Sequence, residues 1–231
     1  MAITFVGFAS AFDNAAGTTL TISVPTGTSN GDLMIAFLFA PSSGVIPPSL
    51  ETGWVDDGIP PATIVQVRES RAMHRFASGE PASYTFDWSA NPGERQGYIC
   101  AYRGISVYTV DTLSFGESAG AGSQAVVRAA QTNPVGAKEL LIHQPVIGRT
   151  QFGAAVDFAL DGALTLRGAT GITNAQIDVA ASDEIYNNVA DFPARTQTVN
   201  DGGGNVWGMA GMLRPISLQV VAAPDAWAWL G

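Results

Sequence analysis

The residues that could carry acid–base or nucleophilic chemistry are few in this sequence, and they lie far apart. The chain has two histidines, His74 and His143, and a single cysteine, Cys100. Each histidine lies within a strand-like run, where a structural role is the commoner one. A nucleophilic Cys–His pair requires a spatial proximity that the sequence does not show. With no His-Glu-x-x-His motif and no close histidine–cysteine spacing, the sequence predicts no catalytic residues, no metal ligands and no cofactor.

Paired carboxylates are a second possible source of chemistry, because glycoside hydrolases use two of them. Asp56–Asp57 and Asp183–Glu184 each lie in a predicted loop. Trp54 stands two residues before Asp56, and an aromatic ring can stack on a sugar, so Trp54 is a possible glycan contact. The alternative is a solvated loop whose tryptophan lies over the edge of a sheet.

The glycine-rich segment 201–205 (Asp-Gly-Gly-Gly-Asn) resembles an oxygen-rich turn. Calcium requires six to eight oxygen ligands, and this segment supplies only two candidate side chains. We expect a hairpin turn here rather than a calcium site.

The sequence around these residues predicts strands almost throughout. Segment 18–24 alternates apolar and polar residues, and segment 32–40 is continuously apolar, as in a strand buried on both faces. Glu69–Ser70 is a candidate hairpin turn, and 154–160 and 183–188 are candidate helical turns. Further strands are predicted at 3–8, 63–68, 71–77, 81–88, 96–103, 124–130, 139–147, 163–167, 176–181, 195–199 and 206–213.

The two halves of the chain repeat a pattern in the same order. Pro25-Thr26-Gly27 leads into an acidic residue and an apolar run, and Pro134-Val135-Gly136 does the same. A later Glu80-Pro81-Ala82 is echoed by Phe192-Pro193-Ala194. Such a long period does not suit a solenoid. We predict an all-β fold, one β-sandwich of jelly-roll type over 1–215, with pseudo-repeats at about 18–106 and 124–216 joined by a linker at 116–123.

The composition limits the functions that the chain can have. Of its 231 residues 46% are hydrophobic and only 13% are charged, which excludes a disordered chain. The net charge of −9, with Lys138 as the single lysine, disfavours nucleic-acid and anionic-membrane partners. No apolar run is long enough to span a bilayer, and no signal peptide is expected. The weakly charged surface suits a protein that is covered by neighbouring subunits, so we expect a homo-oligomer.

Aromatic and apolar residues near the two ends are candidate partner contacts. The segment 216–231 is predicted to be a docking tail, because tryptophans two residues apart project from the same side of an extended chain. It could dock on its own body or on a neighbouring subunit. The candidate contacts are Trp227, Trp229 and Leu230 in this tail and Ile3, Phe5 and Phe8 near the start.

Three segments carry a resemblance to a known group of proteins. They are 20–36 (LTISVPTGTSNGDLMIA), 79–89 (GEPASYTFDWS) and 101–105 (AYRGI). Together they resemble virion structural proteins of tailed bacteriophages, of the decoration or minor tail type, over about residues 18–215. The resemblance implies a β-sandwich on a phage particle and carries no catalytic motif. It also implies a virion location, with assembly in the host cytoplasm and release by lysis.

The resemblance and composition together lead to one main hypothesis and two alternatives. The main one is a non-enzymatic capsid decoration or cement protein whose partners are the major capsid protein or other virion subunits. One alternative is a tail-tip or fibre component that binds a host surface glycan or receptor, with Trp54 as the contact. The other is a carbohydrate-active enzyme on the same fold, which would need two carboxylates converging in a groove.

Overall fold

The computed structural model describes most of the first half of the chain and the strands of the second half. The described residues are 3–40, 49–57, 69–105, 114–121, 124–128, 130, 140–150, 156–160, 164–169, 177–186, 193–201 and 205–212. Within them the chain is all-β: fifteen strands, all paired antiparallel, and no helix. The predicted fold class is confirmed at this level. The strands are β1 Thr4–Asp13, β2 Thr19–Ser23, β3 Leu33–Ala40, β4 Val55–Asp56, β5 Glu69–Phe76, β6 Ser83–Asp87, β7 Arg95–Arg103, β8 Ser114–Ala121, β9 Gln124–Arg128, β10 Leu140–Thr150, β11 Val156–Leu160, β12 Thr165–Ala169, β13 Ile177–Tyr186, β14 Arg195–Asp201 and β15 Asn205–Met212.

The first large sheet has the strand order β1-β7-β3-β5-β4. Its central strand β3 is buried at every position, which explains its uninterrupted apolar sequence. Successive side chains point to opposite faces. Leu33, Ile35, Phe37 and Phe39 belong to one core, and Met34, Ala36, Leu38 and Ala40 belong to another. This sheet therefore needs a covering layer on both sides.

A two-stranded sheet of β2 and β6 covers the outer face of the first large sheet. Leu20 and Ile22 point inward from β2, while the residues between them are exposed. Tyr84 and Phe86 do the same from β6, and Trp88 follows them. We call this layer, together with Met34, Leu38 and Trp54, the outer core.

The second large sheet has the order β12-β13-β10-β15-β8 and covers the other face of the first. Val179 and Ala181 of β13 pack against Tyr98 and Cys100 of β7, and β12 lies against β1. The approach is close, because a Cβ added to Gly168 would come within 2.5 Å of the Phe8 ring. We call this interface the inner core. A three-stranded sheet, β11-β14-β9, lies against β15 and β8.

Several sequence predictions of local structure were wrong. Glu69 and Ser70 do not form a turn but open β5, where they pair with Ala40 and Phe39 of β3. The described parts of the two candidate helical turns are strands, β11 and the end of β13. Most of the predicted linker 116–123 belongs to β8, because its small residues pair in register with β15. Among the described residues no helix is long and apolar enough to cross a membrane.

Candidate functional site, a buried polar cluster between the two large sheets

Three of the candidate side chains, His143, Cys100 and Asp183, lie in or beside the inner core. His143 on β10 is fully buried, and both of its ring nitrogens are hydrogen-bonded to the facing sheet. Its Nε2 lies 2.9 Å from the Tyr98 hydroxyl, and its Nδ1 lies 2.9 Å from the Tyr102 hydroxyl. The two tyrosines lie on the same face of β7 as Cys100, which stands between them. The histidine is thus a polar link between two sheets.

An ion pair adjoins this link. Asp183 lies opposite His143 in the β10–β13 register, and its carboxylate is almost fully buried. The Arg167 Nε of the neighbouring strand β12 lies 2.9 and 2.8 Å from its two oxygens. The Arg167 guanidinium lies 4.5 Å from the centre of the Phe5 ring of β1, so it contacts both sheets.

Burial keeps the titratable groups of the cluster uncharged, apart from the ion pair. Burial, with a smaller contribution from Arg167, lowers the pKa of His143 to about 3, so the ring is a neutral imidazole. Burial and the nearby Asp183 charge raise the pKa of the Cys100 thiol well above its usual value. Burial also raises the pKa of the Tyr102 hydroxyl, with smaller contributions from Cys100 and Asp183.

This environment opposes catalysis by the cluster. A thiol with a raised pKa supplies no thiolate nucleophile. A histidine whose pKa lies near 3 is a weak base, and neither ring nitrogen is open to a substrate in this arrangement. The cluster instead satisfies every polar group that it buries, which specifies how the two sheets fit together. Its role is to hold the two sheets together.

The second carboxylate of the Asp183–Glu184 pair serves another contact. Alternation along β13 sends Glu184 to the opposite face of the sheet. There its two oxygens lie 2.8 and 2.5 Å from Nε and Nη2 of Arg195 on β14. Each acid therefore holds an arginine of a different strand. The two do not converge on a groove, as a glycosidase pair would.

The other histidine belongs to a small cluster at the β4–β5 edge. Its Nδ1 contacts the nearly buried carboxylate of Asp57, and Arg71 forms an ion pair of 3.3 Å with Asp56. The Asp57 backbone N–H donates to the Ala72 carbonyl, which anchors the loop to β5. The predicted solvated loop is therefore tied to the sheet edge.

Trp54, the candidate glycan contact, is a member of the outer core. Only 5% of its surface is exposed. Its ring packs edge-on against Tyr84 at 5.3 Å and against Phe86 at 6.0 Å, and the Arg75 guanidinium lies 6.0 Å from its centre. With its ring enclosed in this way, Trp54 has no open face on which a sugar could stack.

The N-terminal candidate contacts are also largely occupied by the chain itself. Ile3 is buried in the inner core, and Phe5 and Phe8 pack partly buried against it. Phe5 meets Tyr102 and Phe8 meets Tyr98, each at 5.6 Å between ring centres. Trp227, Trp229 and Leu230 lie outside the described residues.

The structure reveals exposed apolar side chains that the sequence patterns did not single out. Val55 is 52% exposed and Phe76 is 36% exposed. Val55 of β4 pairs with His74 of β5, and His74 lies two positions before Phe76 on the same strand. The side chains of Val55 and Phe76 therefore lie on the same face of the sheet edge. This face continues the inner core beyond its covered part. Their positions at strand ends were the only sequence signal for this exposure. Whether such a side chain is buried depends on which strand packs over it.

One nucleophile-like motif remains in the first half. Residues 27–31 read Gly-Thr-Ser-Asn-Gly, which matches the Gly-x-Ser-x-Gly spacing of hydrolase elbows. That elbow joins a strand to a helix, whereas here the segment is a turn between β2 and β3 with positive φ at Gly27 and Gly31. The Ser29 N–H donates to Asp32, whose carboxylate is bound by Arg103. The context is that of a turn.

The described residues contain no group of three or more histidine, cysteine or acidic side chains that could hold a metal ion. Of the candidate calcium turn, residues 202–204 lie outside the described part. Comparison with protein-family models, with curated proteins and with solved structures gave no match for this chain.

Proposed function

We propose that the chain is a non-enzymatic structural component of a tailed-phage particle, a decoration or cement protein bound to the capsid. Segments 20–36, 79–89 and 101–105 support this through their resemblance to phage virion proteins. The strand order is the structural observation that carries it. In this proposal the protein is assembled in the host cytoplasm and is released with the particle by lysis.

The strand order of the first half supports a jelly roll. In a jelly roll with strands B to I along the chain, one sheet has the order B-I-D-G, and strands C and H are neighbours in the other. Taking β1, β2 and β3 as B, C and D makes β5, β6 and β7 the strands G, H and I. The sheet order β1-β7-β3-β5 then matches B-I-D-G, and the β2–β6 pair matches C-H.

The second half supports the same assignment. Taking β8 as its strand B, the order β8-β15-β10-β13 again matches B-I-D-G, and β9-β14-β11 matches C-H-E. The pseudo-repeat expected from the sequence echoes then corresponds to two jelly rolls packed through their larger sheets. This replaces a single sandwich whose two layers are the two halves. Jelly rolls recur in viral capsid proteins and in lectins, so the proposed fold favours a particle component.

The state of the chemistry-bearing residues agrees with a binding role. The inner-core histidine is enclosed and hydrogen-bonded to two tyrosines, and the neighbouring acid is paired with Arg167. Side chains used in this way hold sheets together and leave contacts with partners to the outer surface. The proposed partners are the major capsid protein and further copies of this chain.

The proposed mechanism is stabilisation by mass action. A protein that binds the assembled shell and not its free subunits shifts the equilibrium toward the shell. The candidate contacts are Trp227, Trp229 and Leu230, together with the exposed edge of Val55 and Phe76. Tryptophan anchors commonly dominate the energy of an interface.

Deleting residues 224–231 is expected to weaken binding to purified particles by about tenfold or more, because it removes two tryptophan anchors. Occupancy is measured by titrating the labelled chain onto particles that lack it. Replacing Val127, which is 52% exposed, by serine is the control and is expected to leave occupancy unchanged. Unchanged affinity after the deletion contradicts the tail assignment. Binding to host glycan without binding to capsids supports the tail-tip alternative.

A further inference from the structure

One imidazole ring joins the two large sheets by hydrogen bonds. His143 of β10 contacts Tyr98 and Tyr102 of β7 through its two nitrogens, both at 2.9 Å, and none of its surface is exposed. Of the described inner-core residues, Val179, Ala181 and Cys100 lie nearby, and the Asp183–Arg167 ion pair adjoins them. The polar part of the interface is therefore sensitive to what this ring can donate and accept.

A neutral imidazole has one N–H donor and one acceptor nitrogen. Because both ring nitrogens of His143 lie 2.9 Å from a tyrosine hydroxyl, the ring donates to one of the two hydroxyls and accepts from the other. The neutral ring therefore satisfies both contacts.

A second proton turns both ring nitrogens into donors, so the tyrosine hydroxyl that donated to the ring loses its acceptor. The resulting imidazolium would also be buried near the Arg167 guanidinium. We propose that His143 is an acid-sensitive latch: when the imidazole takes up a proton it leaves this site, and the two large sheets separate while the outer core stays folded.

The charges around the ring set the direction of the pH effect. Arg167 and Asp183 form an ion pair, and Cys100 and Tyr102 remain protonated. Strands β3 and β15, which border this part of the core, carry no titratable residue. Burial lowers the pKa of His143 to about 3 from the ordinary 6.5. The opened form therefore binds the proton more tightly, and the closed form loses stability as pH falls from about 6.5 towards 3.

Cys100 is a built-in reporter of the separation. It is the only cysteine of the chain, it is fully buried, and it lies in the inner core beside both tyrosines. The experiment follows its reaction with 4,4′-dithiodipyridine between pH 7.5 and pH 4, dividing each rate by that of the guanidinium-unfolded protein at the same pH. We expect this ratio to rise by up to about tenfold per pH unit below pH 6.5. Hydrogen exchange of β2 and β6 amides is expected to stay slow over the same range.

Two variants isolate the histidine. His143→Gln removes the titrating ring and is expected to flatten the pH dependence, whereas His74→Gln, on β5, is expected to retain it. Should His143→Gln fail to fold, an NMR titration of the wild-type His143 ring replaces it, with no charging expected above pH 4 while the protein is closed. A pH-independent ratio, an equal slope in His143→Gln, or a ring that charges near pH 6.5 in the closed protein overturns the proposal. Loss of β2 and β6 protection together with Cys100 exposure overturns it as well, because that is global unfolding.

Discussion

Replacing either of two consecutive residues of β3, Phe37 or Leu38, by alanine is expected to destabilise the protein strongly. We expect the free energy of unfolding to fall by about 3–5 kcal/mol for Phe37→Ala and about 2–5 kcal/mol for Leu38→Ala. The physical reason is that Phe37 fills the inner core and Leu38 fills the outer core, and both side chains are buried. In a sheet covered on one face only, one of two successive positions would tolerate the change.

Equilibrium unfolding in urea, followed by circular dichroism, measures both effects. Thr19→Ala on β2, at an exposed position of the same layered structure, is the control and is expected to stay within about 0.5 kcal/mol of the wild type. If one of the β3 substitutions is as harmless as the control, the face to which that residue belongs is not covered.

The second large effect is expected at the inner-core ion pair. Asp183→Ala removes the acceptor of Arg167 and leaves a guanidinium half-buried without a carboxylate partner. Breaking a buried pair from one side costs about 3–5 kcal/mol. Adding Arg167→Met to this variant is expected to recover part of the loss, because the unpaired charge disappears.

An exposed pair on the β4–β5 edge provides the comparison. Asp56 and Arg71 are 3.3 Å apart, and the Asp56 side chain is 36% exposed. Asp56→Ala is expected to cost no more than about 1 kcal/mol, as is usual for surface pairs. Equal costs for Asp56→Ala and Asp183→Ala would contradict a structural role of the buried cluster.

The strand content was predictable because burial leaves a local signature in the sequence. The unbroken apolar run of β3 predicted a strand buried on both sides, and the alternation of β2 predicted one buried face; both are confirmed. The turn predicted at Glu69–Ser70 failed because polar residues at the start of a strand resemble a turn until the pairing strand is known. The linker predicted at 116–123 was wrong for a similar reason, because the pairing of the glycine-rich β8 with β15 leaves no signal in the local sequence.

The buried cluster could not be assembled from the sequence. His143 and Tyr98 are 45 positions apart, and their contact exists only because two large sheets pack face to face. The contacts of Arg95 could not be predicted from the sequence either. This residue is fully buried, and its guanidinium contacts Asp13 and the carbonyls of Ala15 and Gly17, about 80 positions earlier in the chain. Local periodicity predicts the face of the sheet on which a residue lies, but its contacts depend on the layer that packs against that face.

Imaging of the particle itself can establish whether this chain is part of it. The experiment is a cryo-electron-microscopy reconstruction of purified particles of the encoding phage, compared with particles from which the gene has been deleted. We predict extra density on the head of the wild-type particle, repeated with the symmetry of the capsid lattice and large enough for two packed jelly rolls. Purified particles that contain no copy of the chain would contradict the claim.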